Sequence, residues 1–271
     1  MEQHKVYRRV LTIAGSDSGG GAGIQADLKT IAANGCYGMS VITALTAQNT
    51  LGVTGIHAVP VDFVAAQMEA VLSDIGVDAV KIGMLFSPEL IRTVAEKLRQ
   101  FEVRAIVLDP VMVAQSGDKL LQDEAVDALK KYLIPMAELI TPNLPETSVL
   151  LGRETFTTGD IERAAVELAA MGCANVLIKG GHLEGGDSDD CLYLGAEQRI
   201  VTLPGKRVAT NNNHGTGCTL SSAIASFIAR GASVEDAVRR AKEYITGAIQ
   251  AGADYLIGHG HGPVHHFFRW F

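Results

Sequence analysis

This chain of 271 residues has few cysteines, one tryptophan and no cluster of basic residues. No two of its four cysteines form a C-x-x-C pair, which argues against a zinc site or disulfide framework and favours a reducing cytoplasm. The formal net charge of −7 argues against nucleic acid and anionic membranes as partners. No segment approaches the ~20 apolar residues that span a bilayer, and the run Val10–Ala14 is too short for a signal peptide. We therefore expect a soluble, cytoplasmic protein.

The composition, with 47% hydrophobic residues and 29 glycines, suits one large α/β domain over residues 1–271. Short apolar runs alternate with helical patterns, and runs such as Ile106–Leu108 lack the alternation of half-exposed strands. They predict a mostly parallel sheet covered by helices on both faces. The predicted strands are 10–14, 39–46, 53–59, 79–83, 105–109, 138–141, 175–179 and a hairpin of 190–194 with 199–203. The predicted helices are 22–33, 62–74, 88–101, 124–133, 161–171, 217–229 and 234–251.

Small, polar or charged residues follow many of the predicted strands. Sheets of this class bind ligands at the carboxyl ends of their strands, so these residues are candidates for one site. They are Gly15–Asp17, Gln48, Gly83–Met84, Asp109–Pro110, the pair Asn143 and Glu146, and Lys179.

The segment His214–Cys218 places two glycines around a threonine where a loop turns into a helix. Such a turn directs backbone N–H groups and the positive end of the helix at one point, which suits a phosphoryl group. Cys218 lies on the first turn, where the same field favours its thiolate. The alternative is a structural glycine loop with a small buried cysteine.

The glycine-rich segment Gly15–Gly23 matches neither the dinucleotide pattern G-x-G-x-x-G nor a P-loop. It is either a structural turn or a loop that lets the backbone approach a small substrate, with Asp27 one turn into the following helix. The segment Gly258–His266 carries four histidines at spacings that match no common zinc pattern. We interpret it as a packed or lid-forming segment.

Four side chains near the later strand ends have both a chemical and a structural interpretation. Asp109 could hold a divalent cation or cap the next segment. Asn143 and Glu146 offer oxygens that suit Mg²⁺, but also match a helix-capping pair. Lys179 could lie over nucleotide phosphates or be a solvated lysine.

Seven motifs in order resemble the hydroxymethylpyrimidine/phosphomethylpyrimidine kinases of thiamin biosynthesis, within the ribokinase-like superfamily. The resemblance runs from about Val10 to the ending Gly262–Phe267. The motifs are residues 14–29, 46–50, 81–84, 109–112, 141–146, 179–182 and 214–218.

The resemblance implies a three-layer αβα sandwich with a mostly parallel sheet, and a homodimer. It implies phosphorylation of 4-amino-5-hydroxymethyl-2-methylpyrimidine by ATP with Mg²⁺, and then a second phosphorylation of the monophosphate. Gln48 would bind the aminopyrimidine edge, in a pocket lined by Gly15, Asp27, Met84 and Val111. Asn143, Glu146 and Lys179 would face the nucleotide phosphates and Mg²⁺, with Asp109 and Glu146 as candidate metal ligands. Gly215, Thr216, Gly217 and Cys218 would form the anion hole, and Cys218 would be the general base.

Other activities stay open at this point. Some relatives with the Gly-Cys ending phosphorylate B6 vitamers, so a pyridoxal kinase is the nearest alternative. A sugar kinase is disfavoured because most ribokinase-like sugar kinases carry Asp where Cys218 stands. A silent metabolite-binding module is disfavoured because Asn143, Glu146, Lys179 and Cys218 are all present.

Overall fold

One nine-stranded sheet organises the computed structural model, which describes residues 5–112, 123–153, 160–180 and 189–271. The strand order is β3-β2-β1-β4-β5-β6-β7-β8-β9. The pairs from β2 through β7 are parallel, whereas β3, β8 and β9 each pair antiparallel with a neighbour. The strands are β1 (Arg9–Asp17), β2 (Tyr37–Asn49), β3 (Gly52–Ala58), β4 (Ala79–Ile82), β5 (Ile106–Leu108), β6 (Leu139–Ile140), β7 (Asn175–Ile178), β8 (Asp190–Leu194) and β9 (Arg199–Leu203).

Eight α-helices of the described residues cover the sheet. They are α1 (Gly23–Ala33), α2 (Val61–Asp74), α3 (Pro88–Gln100), α4 (Asp123–Ala128), α5 (Leu144–Leu151), α6 (Ile161–Ala169), α7 (Thr216–Ala229) and α8 (Val234–Gly252). After α4 the chain continues as a π-helical turn, Leu129–Leu133, and a 3₁₀ turn, Ile134–Met136.

Two separate apolar cores lie on opposite faces of the sheet. On one face, α2 to α6 contribute side chains such as Val64, Leu90 and Ile161. On the other face, α1, α7 and α8 contribute Ile31, Leu220 and Ala237 among others. Because both faces are covered, β5 and β7 are buried at every position, as their apolar runs predicted. The predicted α/β class with a three-layer arrangement is confirmed.

The structure corrects several predicted boundaries. β2 continues to Asn49, so Gln48 lies within this strand rather than after it, and β1 likewise extends to Asp17. β2 and β3 pair antiparallel and form a two-stranded ribbon, here called the β2–β3 ribbon. This ribbon extends beyond the end of the parallel sheet. Helix α5 was not among the predicted helices, although Asn143 and Glu146 were identified as a possible helix-capping pair. The predicted helix 124–133 begins as α4 but changes to the π-helical turn.

Side chains cap the starts of three helices around the sheet, but not the start of α7. Ser87 caps α3, Asn143 caps α5 and Ser233 caps α8, whereas the N-cap residues of α1, α2, α6 and α7 make no side-chain capping hydrogen bond. Nor does any helix in the described part of the chain have the length and apolar composition of a membrane crossing.

Candidate active site

The first turn of α7 is the centre of the candidate site. Gly215 precedes it with φ 79°, in the left-handed region that favours glycine. A Cβ at this position would lie 1.9 Å from the Gly21 carbonyl oxygen, so no larger residue fits. The glycine turn therefore packs directly on the N-terminal glycine segment. Because Gly215 at the N-cap has no side chain that could cap this turn, the N–H groups of Gly217 and Cys218 can face an anion.

Lys179 and Asp109 lie beside this turn. A Cβ added to Gly217 would lie 3.4 Å from Lys179 Nζ and 3.6 Å from an Asp109 carboxylate oxygen. Lys179 Nζ donates to Asp109 Oδ1 over 2.9 Å, and the Thr141 hydroxyl donates to the same oxygen over 3.0 Å. Burial would raise the pKa of Asp109, but Lys179 and Lys81 together hold it below its ordinary value. The site thus places a lysine, a carboxylate and a helix start around one point.

Asn143 and Glu146 form a complete capping box at the start of α5. The Glu146 N–H donates to Asn143 Oδ1 over 2.8 Å, and the Asn143 N–H donates to Glu146 Oε2 over 2.7 Å. Glu146 is buried, which raises its pKa to about 7 even though Lys179 Nζ lies 3.9 Å from its Oε2. The capping interpretation therefore describes this structure, and contact with nucleotide phosphates stays a prediction.

The carboxylates of Asp109 and Glu146 fit a Mg²⁺ ion that is bound mainly by waters and substrate phosphates. The Lys179 ammonium already lies within 4 Å of both. In the described parts of the chain, no group of three or more His, Cys, Asp or Glu could hold a metal. Mg²⁺ commonly binds through one or two carboxylates, several waters and substrate phosphates. This donor set suits that arrangement and not a metal site built from protein side chains alone.

A buried ion pair between Lys81 and Asp27 lies next to the candidate site. Lys81 and Asp27 are both fully buried, and Lys81 Nζ lies 2.9 Å from each oxygen of Asp27. The hydroxyls of Thr12 and Ser222 also donate to the Asp27 carboxylate, over 2.6 and 2.7 Å. Asp27 therefore faces the protein interior. Its expected place in the substrate pocket stays a prediction, and what the structure shows is a role in holding Lys81.

The structure contradicts the expectation that Cys218 is a thiolate at rest. Burial raises its pKa to about 11, and Asp27 and Asp109 raise it further against the opposing charge of Lys81. The Gly23 N–H also bonds the sulfur, but does not reverse this balance. The helix position of Cys218 suggested a lowered pKa because it takes no account of this burial or of the two carboxylates, which are remote in sequence.

The expected substrate-binding residues lie around the glycine segment. Gly15 and Met84 touch so closely that a Cβ at Gly15 would lie 2.7 Å from the Met84 Cε. Met84 is buried, and its carbonyl accepts a hydrogen bond from the Thr43 hydroxyl over 2.9 Å. Gln48 lies near the start of the α7 loop, with its Nε2 3.3 Å from His214 Nε2. Val111 is half-buried beside Asp109, and its N–H donates to the Asp109 carbonyl.

Sequence reasoning gave no separate role to Lys81, Asp17 or His214. Lys81 was detectable as the one charge in the apolar strand β4, since a buried lysine requires a carboxylate partner. The Asp17 carboxylate accepts from the N–H groups of Gly19, Gly21 and Ala22 and lies 2.9 Å from His214 Nε2. Burial would raise the pKa of Asp17, but His214 and these N–H groups hold it below its ordinary value. No local pattern revealed this pair.

The histidine-containing C-terminal segment packs against the rest of the site. The N–H of His261 donates to the Thr50 carbonyl over 2.9 Å. His266 is buried, and burial lowers its pKa to about 4, with its Nε2 3.1 Å from the Thr219 hydroxyl. These contacts agree with the interpretation as a packed segment. His182, in the quoted motif 179–182, lies outside the described residues.

The sequence profile of the phosphomethylpyrimidine kinase family matches residues 17–265. A thiamine biosynthesis bifunctional protein of Geobacter sulfurreducens is 54% identical over 257 residues, which is 95% of this chain but 52% of that protein. This chain therefore spans about half the length of that relative. A hydroxymethylpyrimidine/phosphomethylpyrimidine kinase of Rhizobium meliloti is 52% identical over 261 residues, covering 96% of this chain and 97% of its own.

Among solved structures, an ADP complex of Bacillus subtilis pyridoxal kinase superimposes with a TM-score of 0.90. The two chains are 37% identical, and the match covers 98% of this chain and 100% of the other. The fold is therefore shared between enzymes named for two different vitamins.

The raised pKa of Cys218 predicts slow alkylation. With a pKa of about 11 against an ordinary 9.0, Cys218 holds roughly a hundredfold less thiolate at pH 8, and the thiolate is the reacting form. We expect iodoacetamide to modify Cys218 about a hundredfold more slowly than glutathione present as an internal standard, measured by peptide mass spectrometry. Modification at the rate of glutathione or faster would contradict the raised pKa.

Proposed function

Because this chain belongs to the phosphomethylpyrimidine kinase family, we propose that it phosphorylates 4-amino-5-hydroxymethyl-2-methylpyrimidine with ATP and then phosphorylates the monophosphate to the diphosphate, in thiamin biosynthesis. The observation that carries this proposal is the uncapped start of α7 beside Lys179 and Asp109. The same site accounts for both steps, because each step transfers a phosphoryl group.

Phosphoryl transfer needs positioning and charge stabilisation more than covalent chemistry. The N–H groups of Gly217 and Cys218 lie on the uncapped turn and would bind the oxygens of the transferring group. Lys179, next to Gly217, would neutralise charge on the nucleotide phosphates. Gly217 has no side chain, so a phosphate can approach this turn closely.

The nucleotide would be ATP, accompanied by Mg²⁺. Glu146 and Asp109 would hold the cation largely through water, in company with the phosphates. When bound, the cation offsets the negative charge of the phosphate oxygens. The relative solved with ADP supports nucleotide use on this fold.

The pyrimidine would bind between Gln48, Met84 and Gly15. A glutamine amide offers a donor and an acceptor in one plane, which matches a ring nitrogen and its neighbouring exocyclic amine. Met84 supplies a soft apolar surface for the flat ring, and the absent side chain of Gly15 leaves room for its Cε. Val111 would complete the apolar lining.

Cys218 would act as general base for the primary hydroxyl. Its raised pKa makes it a thiol at rest, so this role requires the thiol proton to pass to solvent when the substrates bind. Lys81, an ammonium paired with Asp27, would stabilise the thiolate that remains. Such a base contributes about 10²–10⁴-fold to rate. A phosphate monoester is already largely ionised near pH 7, since its second pKa is about 6. The second transfer therefore depends less on Cys218 than the first.

The proposed activity is tested by its products. We expect MgATP with the hydroxymethylpyrimidine to give the monophosphate and then the diphosphate, detected by mass spectrometry. Pyridoxal is the second substrate to offer, because the fold superimposes on a pyridoxal kinase. Formation of pyridoxal phosphate with no pyrimidine product would overturn the assignment. Minor pyridoxal turnover beside both pyrimidine products is compatible with it.

The substitution Cys218→Ala separates the two steps. We expect the first phosphorylation to fall about 10²–10⁴-fold and the second to fall less than about 10-fold, since its acceptor is an ionised phosphate. Steady-state kcat for each acceptor is the measurement. Cys173→Ala, in the core on the other face of the sheet, is the matched control and should leave both rates unchanged. Equal losses in Cys218→Ala would exclude the asymmetry.

We further propose that the chain forms a homodimer through the β2–β3 ribbon and α2. This region exposes the apolar side chains of Leu45, Ile56 and Phe63. Exposed apolar side chains that lie together are typical of protein–protein interfaces. We expect sedimentation velocity to give twice the mass of one chain. Phe63→Glu should shift the measured mass toward that of a single chain. Val166→Glu on α6 is the control for adding a charge at an exposed apolar position. A wild-type monomer would contradict the proposal.

A further inference from the structure

His214 lies between Asp17 and Gln48, and the three side chains form a line across the glycine segment. His214 Nε2 is 2.9 Å from Asp17 Oδ2 and 3.3 Å from Gln48 Nε2. The line is enclosed, because the Asp17 side chain is 3% exposed and the His214 side chain 14%. The His214 main chain is also held, since its N–H donates to the Gly262 carbonyl. The imidazole therefore has one position.

The Asp17 contact determines where His214 carries a proton. Both oxygens of Asp17 accept backbone N–H groups, those of Gly19, Gly21 and Ala22, so the carboxyl is an acceptor only. A nitrogen 2.9 Å from such an oxygen must donate to it. His214 Nε2 is therefore protonated, in the neutral imidazole as well as in the imidazolium.

This proton fixes the orientation of the Gln48 amide. With Nε2 of Gln48 toward His214, two donors would face each other at 3.3 Å. On the other side, Gln48 Oε1 lies 3.1 Å from the Thr46 hydroxyl, which gives its one proton to the Ser16 carbonyl over the shorter distance of 2.8 Å. Half a turn of the amide exchanges its oxygen and nitrogen and satisfies both contacts. The single Nε2–H of His214 is then shared between Asp17, at 2.9 Å, and Gln48, at 3.3 Å, and the Gln48 amide nitrogen donates to Thr46.

We propose that His214, held by Asp17, is a specificity-determining positioning residue that fixes the Gln48 amide so that it accepts from the exocyclic amine of the substrate and donates to the adjacent ring nitrogen. The inference rests on the proposed function, since it assumes that Gln48 reads the pyrimidine edge. Each amide atom uses one hydrogen-bonding position on its protein neighbour and keeps one for the ring. The hydrogen bonds that the Gln48 amide makes to the protein thus determine which of its atoms accepts from the ring and which donates to it.

The consequence is rejection of the deaminated analogue. The 4-oxo pyrimidine presents an acceptor in place of the amine and a proton on the adjacent ring nitrogen. To bind it, Gln48 would have to turn by half a turn, which would set its NH₂ group against the His214 N–H. An unpaired buried polar group of this kind discriminates strongly between substrates. If the Gln48 amide were free to turn, the site would bind both the 4-amino and the 4-oxo pyrimidine.

The test compares kcat/KM for the 4-amino and 4-oxo hydroxymethylpyrimidines. We expect the wild-type enzyme to prefer the amine by at least about 10³-fold, and His214→Leu to reduce this preference at least tenfold. His214→Gln places an amide nitrogen where Nε2 lies, and should retain most of the preference. Gly21→Ala is an independent variant, because its Cβ would lie 2.4 Å from His214 Cδ2 and displace the ring. It should weaken the preference as His214→Leu does.

His57→Leu is the matched control, because His57 is exposed on β3. It should leave the preference between the two substrates unchanged. A merely structural role of His214 would lower kcat/KM for both substrates by one factor, and an unchanged ratio in His214→Leu and Gly21→Ala would overturn the inference. Failure of the wild-type enzyme to phosphorylate the 4-amino compound would reject the proposed function, and the inference with it.

Discussion

The ion pair of Lys81 with Asp27 is the interaction on which the candidate site depends. Both side chains are fully buried, and Lys81 reaches both carboxylate oxygens at 2.9 Å. Hydroxyls of Thr12 and Ser222 complete the shell, so β1, β4, α1 and α7 meet at one charged centre. Removing one partner of such a pair costs about 3–5 kcal/mol, because the other is left buried and unpaired. The pair therefore fixes α7, and with it Cys218, against the sheet.

A second set of charges continues across the neighbouring strands. Asp109 follows β5, Lys179 follows β7, and Glu146 lies on the first turn of α5. Lys81 pairs with Asp27, and Lys179 pairs with Asp109 and lies near Glu146. Around the start of α7 the carboxylates therefore outnumber the lysines. Burial is the main cause that raises the pKa of Cys218, and the charges of Asp27 and Asp109 add to it. The excess of carboxylates would also suit a divalent cation that arrives with phosphates.

Local pattern was sufficient for most of the fold but not for the site electrostatics. Apolar runs and turn residues predicted the hairpin of β8 and β9 at its observed bounds, and α6 to α8 to within two residues. The extension of β2 to Asn49 depends on pairing with β3, a tertiary contact that no short window contains. The pKa of Cys218 is raised mainly by burial and to a smaller extent by Asp27 and Asp109, which lie far away in the sequence, and so the thiolate prediction was wrong. The candidate site residues were chosen from motifs, whereas their protonation follows only from their three-dimensional surroundings.

In the proposed function, the segment from His214 to Cys218 would connect substrate recognition to phosphoryl transfer. His214 points toward Gln48 and Asp17, Gly215 lies on the Gly21 carbonyl, and Gly217 lies beside Lys179. These residues are consecutive, and the N–H groups of His214 and Thr216 donate to the carbonyls of Gly262 and Asn213. In the proposed function, this one turn would therefore position both the pyrimidine edge and the phosphoryl group. A shift of that turn would move both together and preserve their separation. In-line transfer requires a fixed distance between acceptor and phosphoryl group, which a single turn supplies more reliably than two independent loops.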